Sequence, residues 1–302
     1  MNKLMKAINN PYYVFVFFAR KGYFNWMSDE KYLKFFFRGM MGQKLDLDNP
    51  KTFSEKLQWL KLHDRNPLYT KLVDKYEVKK IIAQQIGEEH IIPTLGVWDR
   101  FEDIDFSLLP NQFVLKCTHD SGGLVVCKDK ANLDLEQARK KIQESYNNNY
   151  YLYGREWPYK DVKPRIVAEK YMEDALTGEL RDYKFFCFNG EVKALFVATD
   201  RIGAKETKFD FFDVDYQHLP FTNGHPNAST IPAKPQNFEE MKTIASKLSQ
   251  NIPHVRVDLY ECNGKVYFGE MTFSHWSGFM PYDPIEWDYK FGSWIKLPEK
   301  TK

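Results

Sequence analysis

The chain has 302 residues, with 43 Lys and Arg against 41 Asp and Glu, a net charge of +2, 43% hydrophobic residues and 28% charged residues. This length is expected to form two compact units and to bury a substantial core, and the composition excludes a fibrous or disordered chain. A charge so close to balance gives no electrostatic footprint for nucleic acid, so no nucleic-acid partner is expected. No secretory leader is evident, and the longest apolar run, residues 12–19, falls well short of the ~20 residues a spanning helix needs. Cys117, Cys127, Cys187 and Cys262 form no CxxC pair, which argues against zinc and for reduced thiols in a cytoplasmic protein.

Residues 1–45 are basic and aromatic. Lys3, Lys6, Arg20, Lys21, Lys31, Lys34, Arg38 and Lys44 face only Asp29 and Glu30, with Phe15, Phe17, Phe18, Phe24, Trp26, Phe35, Phe36 and Phe37 among them. Two readings stand: helices packed on the body of the protein, or peripheral contact with an anionic membrane surface. Residues 46–110 are expected to form a small, mainly helical domain. One helix starts at Thr52 and another follows Asp74 and ends at Gly87, with a strand near residues 91–98.

Residues 113–116 then read as a buried strand ending in Lys116, followed by Ser121-Gly122-Gly123 and a returning strand over 124–128. Amides in such a loop can cover phosphates, and a lysine beside it would neutralise them. The spacing is not that of a Walker A loop. Cys117 and His119 lie close together but have no third partner that would mark a nucleophile and base. A helix is expected over 132–147, a loop over 147–160, and strands over 165–172, 180–188 and 192–198. Asp213 and Asp215 form an Asp-x-Asp behind two phenylalanines, a short pattern that nucleotide-sugar glycosyltransferases use for metal; Asp103 and Asp105 repeat it elsewhere. Residues 217–236 read as a long loop and 238–251 as a helix.

The stretch 254–278 carries most chemistry. Alternation puts Val255, Val257 and Leu259 on one face of a strand and Arg256 and Asp258 on the other. Asn263-Gly264 signals a hairpin turn. A plain two-residue turn would set Asp258 opposite Gly269 and send Glu270 to the wrong face, whereas a three-residue loop or one bulge would set Asp258 opposite Glu270. Paired carboxylates suit a hard cation such as magnesium, and a neighbouring arginine suits phosphoryl oxygens.

The motifs TFSEKLQWLKL, LVDKYEVKK, IGEEHIIPTLGVWD, FVLKCTHDSGG and GEMTFSHWSG, with Arg256-x-Asp258 and Glu270-x-Thr272, resemble the TupA-like branch of the ATP-grasp superfamily over residues 46–296. That branch is found among surface-polysaccharide proteins. The resemblance implies an α+β ATP-grasp fold, two α+β subdomains clasping ATP. Its parts would be a basic aromatic helical segment at 1–45, a small N-terminal domain at 46–110, a lid subdomain at 111–168 and a C-terminal subdomain at 169–302. It implies that Lys116, Ser121, Gly122 and Gly123 meet the ATP phosphates, and that Glu169, Lys170 and Met172 belong to a hinge holding adenine. Asp182 would meet ribose, Lys184 and Arg256 would serve phosphoryl transfer, and Asp258, Glu270 and Thr272 would bind magnesium. Thr272 departs from the asparagine usual in the superfamily. The implied activity is ligation of a carboxylate, such as a uronic acid in a glycan, to an amine or amino acid. A glycosyltransferase using Asp213 and Asp215, and a non-catalytic nucleotide-binding protein, are the alternatives.

Overall fold

The computed structural model describes residues 10–175, 178–199 and 206–299; Lys3 and Lys6 lie outside them. Strands β1 (Thr94–Trp98), β2 (Phe113–Cys117), β3 (Leu124–Cys127) and β4 (Ile166–Lys170) form a four-stranded antiparallel sheet in the order β1-β4-β2-β3. The helix Leu135–Tyr146 places Ala138 and Ile142 in the core formed with this sheet. Asp134 caps the helix by accepting a hydrogen bond from the Gln137 amide, which fixes its start.

Strands β5 (Arg181–Phe188), β6 (Glu191–Thr199), β7 (Lys208–Phe212) and β8 (His218–Leu219) continue the chain, followed by a short β9 (Thr222–Asn223). The hairpin β10 (Val255–Cys262) and β11 (Lys265–Thr272) then completes a six-stranded sheet in the order β11-β10-β5-β6-β7-β8, and β12 (Tyr282–Asp283) pairs with β9. The large sheet is buried on both faces. Tyr183, Phe185, Val255, Val257 and Leu259 pack in one core with the helix Phe238–Leu248. Phe186, Phe188 and Phe196 pack in a second core with the helices Asp29–Met41, Phe53–His63 and Glu286–Trp294. The helix Phe53–His63 begins with a capping box, in which Thr52 accepts from the Glu55 amide and Glu55 reaches back to the Thr52 amide. Its Ser54 is bound by Asp288 of the last helix, at 2.9 Å from the backbone amide.

The sheets cut across the divisions expected from sequence. Strand β1 falls within 46–110 and β4 crosses the 168/169 junction, yet both belong to the small sheet. The helix Phe53–His63, also within 46–110, packs with the large sheet. Strand pairing is long-range, and local patterning does not show which sheet a strand joins.

The N-terminal aromatics divide between core and surface. Tyr32, Leu33, Phe36 and Phe37 recur at helical spacing and are fully buried, and the Phe36 ring lies 4.7 Å from that of Phe279. Gly39 lets the helix Tyr12–Ala19 approach, because a Cβ there would stand 2.5 Å from the Tyr12 carbonyl. Packing on the body is therefore what residues 29–41 do. Phe17, Phe18, Tyr23 and Trp26 remain exposed. Deleting residues 1–44 is expected to unfold or aggregate the protein, because Phe53 and Phe279 would lose their cover. Loss of the cooperative melt is the check, and a soluble truncated protein with an unchanged melt would contradict this packing.

Candidate active site

The hairpin β10–β11 sets the site. Its turn is the two-residue Asn263-Gly264, both with positive φ (51° and 73°), as a tight hairpin turn requires. From Cys262↔Lys265 the register runs to Leu259↔Phe268, then shifts, so that Asp258 pairs with Glu270 and Arg256 with Thr272. Gly269 is the extra residue. A Cβ there would come within 2.9 Å of the Tyr260 ring, so this bulge needs glycine. The alignment that the paired-carboxylate reading requires is therefore reached through a bulge and a plain turn.

Because β5 pairs with β10, Lys184 stands opposite Asp258. Asp258 is fully buried and its carboxylate is clasped by cations: Arg256 donates from Nε to Oδ1 and from Nη2 to Oδ2, each at 2.7 Å, and Lys184 contacts Oδ2. Lys184 also meets Asp182 Oδ2 at 2.6 Å. Arg256 has further partners in Thr272 Oγ1 at 3.0 Å, Glu270 Oε1 at 3.3 Å and His275 Nδ1 at 2.8 Å. His275 Nε2 lies 3.0 Å from Asn223 Oδ1. Burial and the Arg256 charge hold His275 neutral by pushing its pKa far down. Its Nε2–H thus donates to Asn223, and Nδ1 accepts from Arg256. The sequence suggested that a bound metal would offset the charge buried at Asp258; in the structure Arg256 and Lys184 do so.

Glu270 and Thr272, by contrast, face a cavity of about 1160 Å³, whose lining also includes Ser121, Gly122, Lys184 and Arg256. Burial would raise the Glu270 carboxyl, but Lys184, Lys75, Arg256 and Lys116 outweigh it and hold the group at about 2. The lysines of the small-sheet side therefore act on the acid of the large sheet across one cleft. Two hard oxygen donors facing a cavity fit a magnesium ion that keeps waters and takes its remaining ligands from phosphates. Asp258 lies beneath, outside the lining.

The glycine loop is built by its neighbours. Asp120 Oδ1 accepts from the Gly123 amide at 3.2 Å, and a Cβ on Gly123 would fall 2.6 Å from Ser145 Oγ. Lys116 and Lys79 converge on Glu169 of β4, at 2.5 and 2.6 Å. Burial opposes ionisation of Glu169, but the two lysines prevail and hold it at about 2. Beyond Lys170, residues 171–174 leave the strand ladder, so Met172 lies in an irregular connection between the two sheets. A ribose contact by Asp182 would require its pair with Lys184 to open, since Asp182 is only 2% exposed.

Lys75, Lys79, His275 and Asn223 are site neighbours that sequence reasoning did not single out. Lys75 contacts the Asp120 carbonyl of the glycine loop. Lys75 and Lys79 flank the start of one helix four residues apart, so their spacing offered a signal; Asn223 offered none. The Cys117–His119 idea fails, since burial pushes the Cys117 thiol up to about 12 and His119 Nε2 bonds the Asn148 carbonyl. Asp213 accepts from the amides of Asp215 and Gln217, at 2.9 and 2.8 Å, and so shapes a turn. Neither aspartate lines the large cavity. Among the described residues there is no group of three or more His, Cys, Asp or Glu able to hold a metal.

Glu169 gives a pH prediction. Its folded pKa lies below its ordinary 4.5, so its ion pairs stabilise the fold fully above pH 4.5, and this contribution is lost as pH falls towards 2. Glu169→Gln is expected to lower stability at pH 7 by about 3–5 kcal/mol, because two lysines lose a buried counter-charge. Its denaturation midpoint should also fall less steeply than wild type between pH 4.5 and 3. Parallel pH profiles for the two proteins would contradict the assignment.

A four-stranded lid whose glycine loop overhangs a larger antiparallel sheet, with cations and an acidic pair below it, defines an ATP-grasp fold. The chain belongs to the TupA-like ATP-grasp family, whose model matches residues 55–296. No curated protein matches the sequence. Among solved structures the chain is similar to D-alanine–D-alanine ligase from Bacillus anthracis complexed with ATP, at 15% identity and a TM-score of 0.42, covering 67% of this chain and 55% of that one. It is also similar to the Helicobacter pylori D-alanine–D-alanine ligase, at 15% identity and a TM-score of 0.41, covering 80% and 69%. A third likeness is the ATP-grasp ligase PsnB complexed with minimal precursor, Mg and ADP, at 9% identity and a TM-score of 0.39, covering 74% and 58%. The chain thus spans about half the length of the Bacillus anthracis ligase.

Proposed function

We propose that the protein is an ATP- and magnesium-dependent carboxylate–amine ligase acting on an acid such as a uronic acid in cell-surface polysaccharide synthesis. The observation that carries this reading is the convergence of Lys184, Arg256, Glu270 and Thr272 with the Ser121-Gly122 loop on one cavity, in a chain of this family. In this reading Lys116 and the loop through Gly123 hold the phosphates, and the chain from Glu169 through Lys170 to Met172 holds the adenine. Glu270 and Thr272 hold magnesium, which supplies charge neutralisation at the phosphates. Asp182 and Asp258 hold Lys184 between them, and Asp258 aims Arg256.

A carboxylate does not acylate an amine at neutral pH because its oxygen is a poor leaving group. In the reaction proposed, the acceptor carboxylate oxygen attacks the γ-phosphorus of ATP and ADP leaves. The amine nitrogen then attacks the acyl carbon and phosphate departs. Arg256 and Lys184 offset charge on the transferring group, and the loop closing over the site keeps water from the acyl-phosphate. The test is phosphate release from ATP across a panel of uronic acids and amino acids, with hydroxylamine replacing the amine to trap a hydroxamate. Release that needs both an acid and an amine supports the ligase. Sugar transfer from a UDP-sugar, abolished by Asp213→Asn and Asp215→Asn, would instead establish the glycosyltransferase.

The proposal includes peripheral contact with the cytoplasmic face of a membrane. Its basis is the exposed Phe17, Phe18, Tyr23 and Trp26 beside Arg20 and Lys21. No helix among the described residues is long and apolar enough to cross a membrane. Sedimentation with anionic liposomes, weakened by salt, is the expected result.

A further inference from the structure

The large cavity extends beyond the phosphate-type cluster to a wall formed by Trp276. This indole is 38% exposed, whereas most large aromatics of the surrounding core are buried. It is braced from behind. The Phe209 ring lies 6.0 Å away at an interplanar angle of 27°, His225 lies 5.7 Å away, and a Cβ on Gly224 would stand 2.9 Å from the indole. Trp276 and Ser277 both hold left-handed backbone, with φ of 50° and 56°. Non-glycine residues adopt that conformation at a cost, and such strain clusters at ligand sites.

Arg20 lines the same cavity. Its Nη2 bonds the Tyr153 hydroxyl at 3.1 Å and also approaches Met40 Sδ at 3.6 Å, and it pairs with no carboxylate among the described residues. The lid wall contributes Asn148, an exposed amide. A flat apolar platform, a polar amide and a cation with no paired anion match the chemistry of an acidic pyranose: C–H groups on one face, hydroxyls at the edge and a negative substituent.

We infer that this half of the cavity is the acceptor subsite and takes an acidic oligosaccharide. One sugar ring stacks on Trp276, and Arg20 pairs with an acid group other than the one activated beside Glu270. The inference rests on the ligase assignment and adds to it the acceptor class.

The test is calorimetric titration of tri-galacturonate into the full chain saturated with ADP and magnesium, with maltotriose as the neutral control. Wild type is expected to bind tri-galacturonate more tightly than maltotriose. Trp276→Ala and Arg20→Gln should each weaken tri-galacturonate binding at least tenfold, Trp276→Phe should restore most of it, and Arg20→Gln should leave maltotriose binding unchanged. ADP affinity, measured on the same samples, shows that each variant is folded. Normal ADP binding with no wild-type affinity for tri-galacturonate, or with equal affinity in both variants, overturns the acceptor subsite and leaves the ligase reading standing. Failure of wild type to bind ADP overturns the ligase reading and the subsite with it.

Discussion

Asp258→Asn is expected to lower folding stability by about 3–5 kcal/mol, the scale for removing one partner of a buried ion pair. Asp258 is fully buried and receives two hydrogen bonds from Arg256 and a contact from Lys184. Asparagine keeps the shape but not the charge, so two cations would stay in a low-dielectric site without their main counter-ion. A shift of the urea midpoint with an unchanged slope is the measurement that reports this. From sequence alone the opposite result was reasonable, since Asp258 beside Glu270 reads as a repulsive pair relieved by substitution. The structure reverses the sign because Arg256 and Lys184 lie between the acids and the cavity. An unchanged or raised midpoint would restore the repulsive-pair reading.

Glu270→Gln should behave differently. Its side chain is 41% exposed and faces the cavity, so stability should change by less than about 1 kcal/mol, as for other partly exposed pairs. Turnover of ATP should fall by about 10²–10³-fold, the scale for losing one strong electrostatic stabiliser of a transferring group. The dependence on magnesium concentration should shift upwards at the same time, because Thr272 alone is a weak ligand for a hard cation. The two variants together separate a charge that holds the cluster in place from one that acts in the cavity. Equal stability losses in both would mean that Glu270 is also a structural acid.

Much of this was legible where the signal is local. The capping box at Thr52, the Asn263-Gly264 turn and the apolar alternation of β10 each name their own geometry within a few residues. The requirement for a bulge was legible as well, because side-chain alternation has period two and the paired-acid reading fixes the parity. Its place at Gly269 was not singled out, although a glycine beside Glu270 was the natural position. The membership of β1 in the small sheet depends on pairing with a strand more than 60 residues away in sequence, which no local pattern records. The same holds for Asn223, which reaches the site only through His275. The N-terminal aromatics illustrate the limit in another way. Phe36 and Phe18 look alike in sequence, yet one is core and the other surface, because helix phase and the close approach at Gly39 decide which face is covered.

The central claim is that the cavity between the two sheets binds ATP with magnesium. The most direct measurement is the melting temperature of the full chain with ATP and magnesium, compared with a UDP-sugar and manganese at equal concentrations. Ligands that bind only the folded state raise the melt by mass action. The account predicts a clear rise with ATP and magnesium that Glu270→Gln reduces, and little or no rise with the UDP-sugar. A larger rise with the UDP-sugar, or an ATP effect unaltered by Glu270→Gln, would contradict it.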